Sequence, residues 1–166
     1  MKRTTRSFVS TTNAAENDCA HAILFDMQEE IPASIKIECD GPLHPQAILG
    51  FKLHNEGKYW LAHEALEDAW REETGKIRHL YRGILQVSVT YLHVQRANYA
   101  GAVKVYRRSQ RWLNPFPDTC RGINVGRIKA DLDMVYTEVL RLGPERLGEF
   151  DQSLLKPFEW EKSDVD

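Results

Sequence analysis

The chain has few cysteines, and none is spaced for chemistry. Its 166 residues contain three, Cys19, Cys39 and Cys120, scattered and odd in number. No Cys-x-x-Cys or Cys/His spacing joins them, so neither a thiolate zinc site nor a disulfide framework is suggested, and free cytosolic thiols are expected. Long apolar runs are missing too. No stretch approaches the roughly eighteen apolar residues of a membrane-spanning helix, and the basic, Ser/Thr-rich N-terminus lacks the apolar segment of a secretory signal. A cytoplasmic protein with no membrane partner is expected. Neither sign of charge dominates: the net charge is -2 and the pI about 6.3, which disfavours nucleic acid as a partner. Gly-x-Gly-x-x-Gly, a Walker loop and a Gly-x-Ser-x-Gly elbow are absent, so no nucleotide or serine-hydrolase signature is present.

What remains is enough for one domain, since 42% of the residues are hydrophobic. Charge is unevenly placed along it. Positions 96–129 hold eight Lys/Arg against Asp118, whereas positions 56–73 hold six acids against Lys58 and Arg71. Residues 1–30 are polar and aperiodic and read as a disordered or loosely docked extension. Pro32, Gly41, Pro42 and Pro45 make residues 31–45 a wrapping segment. A helical domain is expected over 46–142, followed by a 143–166 tail whose Phe158 and Trp160 pack on the body.

Five helices are predicted. Pro45 opens the first, and Asn55-Glu56-Gly57 stops it. The second covers about 58–73, and the third follows Thr74-Gly75. Asn98 caps the fourth, which Asn114, Pro115 and Pro117 end. The fifth carries Ile128, Leu132, Val135, Val139 and Leu142 at helical spacing and ends at Gly143-Pro144. No strand alternation competes, so the fold class is all-α: a single-domain antiparallel bundle of about five helices with short connections.

Polar residues interrupt this pattern in one place. On a wheel of about 100° per residue, Leu66, Tyr59, Ala62 and Ala69 share the core face of the second helix. His63, Glu67 and Trp70 form a stripe at its rim, and Glu64 points away. The third helix is apolar nearly all round from Gly83 to Leu92, but Gln86 and His93 break it on one side. Arg82 and His79 extend their line. Because an unmade buried hydrogen bond costs about 1–3 kcal/mol, these groups need partners. His63, Glu67, Gln86 and His93 are expected to converge between helices two and three.

The stretch "HNEGKYWLAHEALEDAWREETGKIRHLYRGILQVSVTYLHVQRANYAGAVKVYRRSQRWL" resembles the bacterial and plant domain-of-unknown-function family 309. The pattern falls on Asn55, Gly57, Tyr59, His63, Glu64, Glu67, Trp70, Tyr81, Gly83, Gln86, His93, Asn98, Gly101 and Ala102. One departure is Ala97, where the family usually has glycine before Asn98. The resemblance implies a compact all-helical domain and no established activity.

Three readings of the site follow. His63 and Glu67, one turn apart, could act as acid–base groups of a hydrolase-type enzyme, or hold a divalent metal together with His93. In that reading Glu67 has a raised pKa, Trp70 walls a small-molecule site, and Gln86, His93 and Arg82 bind or orient. "HEALE" is not the His-Glu-x-x-His zinc motif, and no Glu-x-x-His pair supports a di-iron centre. Alternatively, the four polar residues only bond one another and fix the helix register. The chain would then be a non-catalytic interaction protein whose basic fourth helix (Lys104, Arg107, Arg108, Arg111) meets a partner or nucleic acid. Val103, Tyr106 and Gln110 would mark the buried face of that helix. Trp112 beside Phe116 could instead form a self-association patch, making a homo-oligomer.

Overall fold

The computed structural model describes residues 38–162. The expected extension over 1–30 and the first part of the wrapping segment lie outside the described residues. Five α-helices are described: α1 (Pro45–Asn55), α2 (Tyr59–Glu72), α3 (Arg78–Gln95), α4 (Tyr99–Leu113) and α5 (Val125–Arg146). Each packs on the next in sequence, as short connections require, and the fold is an all-α bundle.

The helix ends follow local chemistry. His44 caps α1 by accepting from the Gln46 N–H through Nδ1 at 3.2 Å, and Pro45 occupies the first turn, where its missing N–H costs nothing. Asn98 and Asn124 cap α4 and α5, their side-chain oxygens accepting from Gly101 and Arg127 at 3.0 Å each. Between α3 and α4, Ala97 has φ 52°, the left-handed conformation that a glycine would adopt without strain.

The core is centred on α3, whose residues are buried without a break from His79 to Tyr91. Close approach of α4 explains Gly83. A Cβ there would stand 2.7 Å from Leu113 Cδ2, so any larger residue would push the two helices apart.

The chain after α4 departs from expectation. A hairpin of two short strands, β1 (Thr119–Cys120) and β2 (Ile123–Asn124), joins α4 to α5. Two-residue strands are too short to show alternation, which is why periodicity missed them. Cys39 and Cys120 are disulfide-bonded across 81 residues, so these two are not the free thiols their scatter suggested. Pairing over that separation is set by the fold: Arg121 donates its backbone N–H to the Cys39 carbonyl at 2.8 Å and its guanidinium to the carbonyls of Glu38 and Pro42. The stop at Gly143-Pro144 is a kink instead of an end. Gly143 leaves the helical region (φ 71°, ψ 179°), and Pro144 starts a further turn that carries α5 to Arg146.

The buried face of α4 is Ala102, Val105, Ser109, Trp112 and Leu113, not Val103, Tyr106 and Gln110. Tyr106 is half-buried because it turns to α5, stacking on Tyr136 at 3.6 Å and donating to Asp133 at 2.8 Å. Trp112 and Phe116 are both buried within the chain, so neither forms an exposed association patch.

After short 3₁₀ turns at Leu147–Glu149 and Gln152–Leu154, the last described residues return to α1. Asn55 grips the backbone of Phe158 from both sides, donating to its carbonyl at 3.0 Å and accepting from its N–H at 2.7 Å. Trp160 lies 5.3 Å from Phe51 and bridges to Ile123. No described helix is long and apolar enough to cross a membrane.

Candidate ligand site on the α2–α3–α4 face

The stripe at the rim of α2 sets one wall. His63 is 5% exposed, Glu67 and Trp70 are half-buried, and Glu64 lies in solvent, as its place on the wheel predicts. Across from it, α3 presents Arg78, His79, Arg82 and Gln86, which share one side at helical spacing. From α4, Trp112 and Arg111 complete the face.

Arg82 is its centre. The side chain is only 3% exposed, and its guanidinium lies 4.6 Å from the centroid of Trp70 and 4.1 Å from that of Trp112. A flat, weakly hydrated cation between two indole faces gains about 0.5–2 kcal/mol per contact. His79 stacks on Trp112 at 5.3 Å, while Arg111 and Arg78 lie over Trp112 and Trp70 at 5.2 and 5.6 Å. The sequence pointed to Arg82, Trp70 and Gln86. It left Arg78 and Arg111 unassigned to the site and placed Trp112 elsewhere. The available signal was Arg78 and Arg82 standing one turn apart, in line with Gln86.

The acid–base candidates are less closely coupled than their spacing suggests. Arg71 donates to Glu67 Oε1 at 2.6 Å, whereas His63 Nε2 is 4.0 Å from Glu67 Oε2, beyond hydrogen-bond range. His63 stacks on Trp60 at 5.1 Å. Burial, and secondarily the Arg71 charge, lower its pKa to about 4, which makes it a neutral hydrogen-bonding group at neutral pH and a weak base.

His93 does not join this cluster. Tyr91 is already level with Tyr59, the first residue of α2, at a ring separation of 5.5 Å. His93 therefore falls beyond the end of α2. It lies in the last turn of α3, where its Nδ1 accepts from the Asn98 amide at 3.1 Å and its ring packs on Gly101. Among the described residues no three His, Cys, Asp or Glu side chains are grouped to hold a metal ion. The ligand set His63, Glu67 and His93 is thus not assembled.

Buried polar atoms on this face with no hydrogen-bond partner include His63 Nδ1, Trp70 Nε1 and Arg78 Nε. These three lie along one edge, since His63 and Trp70 are two turns apart on α2 and Arg78 covers Trp70.

This architecture defines a class, the small antiparallel helical domain with a cationic, aromatic-walled cluster on three successive helices. Residues 48–105, about a third of the chain, match the sequence model of the family described as "Domain of unknown function (DUF309)". Two curated relatives are similar. An uncharacterized protein of Aquifex aeolicus (strain VF5) is 30% identical over 95 residues, 57% of this chain and 27% of its own length. The uncharacterized protein YpuF of Bacillus subtilis (strain 168) is 29% identical over 102 residues, 58% of this chain and 59% of its own. The chain thus spans between about a quarter and three-fifths of the length of these relatives. No solved structure matches the chain.

Proposed function

We propose that this protein is a small-ligand-binding domain whose ligand sits against His63, Trp70 and Arg82. One observation carries the reading: His63 Nδ1 and Trp70 Nε1 are buried on the same side of α2 with nothing to bond. Each such atom costs about 1–3 kcal/mol, and a bound molecule that satisfies both recovers it. A cluster serving only to fix helix register would pair these atoms internally. Hydrolysis is not part of the reading, because a histidine with a pKa near 4 is poorly matched to proton transfer at neutral pH.

Native mass spectrometry of the gently purified chain, beside the folded His63→Ala variant, tests this. A co-purifying small molecule is expected in the wild type and not in the variant. Identical spectra of ligand-free protein would defeat the reading.

The competing reading, a partner-binding protein, draws on Lys104, Arg107 and Arg111, which are exposed on α4. It requires salt-sensitive binding that Arg107→Glu abolishes. A cytoplasmic location belongs to the proposal only if the Cys39–Cys120 bond is reduced there. Alkylation at lysis followed by peptide mass mapping decides that.

A further inference from the structure

We infer that the ligand presents an oxyanion, a carboxylate or a phosphate, to the indole N–H of Trp70 and the Nε–H of Arg78. The inference rests on the small-ligand reading and adds the ligand's chemistry to it. An indole nitrogen and a guanidinium nitrogen can only donate. Both are buried without an acceptor, and the Arg78 guanidinium lies over the Trp70 ring, 5.6 Å from its centroid, which sets the two donor-bearing groups side by side.

Three of the protein's own carboxylates nearby are engaged elsewhere. Glu67 accepts from Arg71 at 2.6 Å, and Glu72 pairs with His44 at 3.2 Å. Glu73 accepts from the backbone N–H groups of Thr74 and Gly75 at 3.1 Å each and faces Arg121 at 3.8 Å. Charge favours an anion over a neutral carbonyl. Arg78 and Arg82 both flank Trp70, where little water screens them.

Helix α3 adds to this. Its first turn holds no acidic residue, its N-cap Ile77 makes no side-chain hydrogen bond, and it opens with Arg78. Cations at a helix N-terminus oppose its dipole, and an anion there relieves both. Arg78 is half-buried, so its guanidinium is the group that moves to admit the ligand.

The test is a titration of the ¹⁵N-labelled full chain followed by NMR. The chain has four tryptophans, and the Trp70→Phe variant assigns the Trp70 indole resonance by its loss. The probes are sodium acetate, sodium phosphate, acetamide, and sodium chloride at matched ionic strength. Acetate or phosphate is expected to shift the Trp70 indole and Arg78 Nε–H resonances saturably, while chloride and acetamide do not. The tighter of the two anions identifies the group. Arg78→Gln and Trp70→Phe should each weaken binding roughly tenfold or more, the loss expected for one charge-assisted hydrogen bond. Acetamide binding as tightly as acetate would overturn the oxyanion and leave the small-ligand site standing. If no probe shifts either resonance, the inference falls, and the mass-spectrometric comparison judges the underlying site separately.

Discussion

His54 and His63 are both buried in the same bundle, at 2% and 5% exposure, and burial lowers the pKa of both, to about 3 and about 4. Their surroundings differ. His54 Nε2 lies 3.2 Å from the Lys156 carbonyl, which can only accept, so that nitrogen carries the proton. Nδ1 is then the acceptor for the Ser88 hydroxyl at 2.9 Å. The ring stacks on Phe158 at 3.5 Å and contacts Tyr59 and Tyr91. His63, in contrast, keeps a buried Nδ1 with no partner. Burial alone therefore does not separate a structural histidine from a candidate binding group. Completion of its hydrogen bonds does.

Substitution is the strongest way to break this contrast. His54→Ala should cost about 3–4 kcal/mol, from two lost hydrogen bonds and a cavity under Phe158. His63→Ala should cost about 1 kcal/mol, since the ring is neutral at that pH and loses chiefly its stack on Trp60. Urea unfolding at pH 7 measures both, and equal losses would erase the distinction.

Acid should affect both sites. Each folded pKa lies below the ordinary value of 6.5, so the unfolded chain takes up protons first as pH falls. Stability from each group is complete above about pH 6.5 and declines toward pH 4 and then 3, by about 2 kcal/mol per histidine at pH 5. Comparing urea midpoints at pH 7 and pH 5 checks this, and either alanine variant should lose about half the pH dependence.

Asn55→Ala sharpens the His54 side. Losing both bonds to Phe158 should destabilise the chain by about 1–2 kcal/mol and speed hydrogen exchange at the Phe158 amide. The smallest change lies outside both regions. Ala97→Gly should stabilise by about 1 kcal/mol, seen as a higher Tm, because φ 52° strains alanine and suits glycine.

Much of this was legible beforehand, for local reasons. Helical spacing located α1 to α5, and Asn98 announced the cap of α4. The wheel placed Tyr59, Ala62, Leu66 and Ala69 inside and Glu64 outside. The resemblance drew attention to Ala97, and the left-handed backbone there shows why glycine suits that position. His54 was overlooked, although it continues the Ala47–Phe51 stripe and so occupies a core position. Its partner carbonyl, on Lys156, lies 102 residues away, where no periodicity reaches.

The sequence by itself determined the all-α class, the order and approximate ends of the helices, and the core sides of α2 and α5, but not that of α4. These depend on dihedral preferences, caps and spacing within a few residues. Only the tertiary structure decided which groups meet. A wheel gives direction around a helix axis but not height along it, so it could not show that Tyr91 lies level with Tyr59 and carries His93 past α2. Nor could it show Arg82 lodged between Trp70 and Trp112 from two other helices, or Cys39 bonded to Cys120. Relative height and neighbour identity come from packing a whole core at once, and packing left His63, Trp70 and Arg78 with bonds still to make.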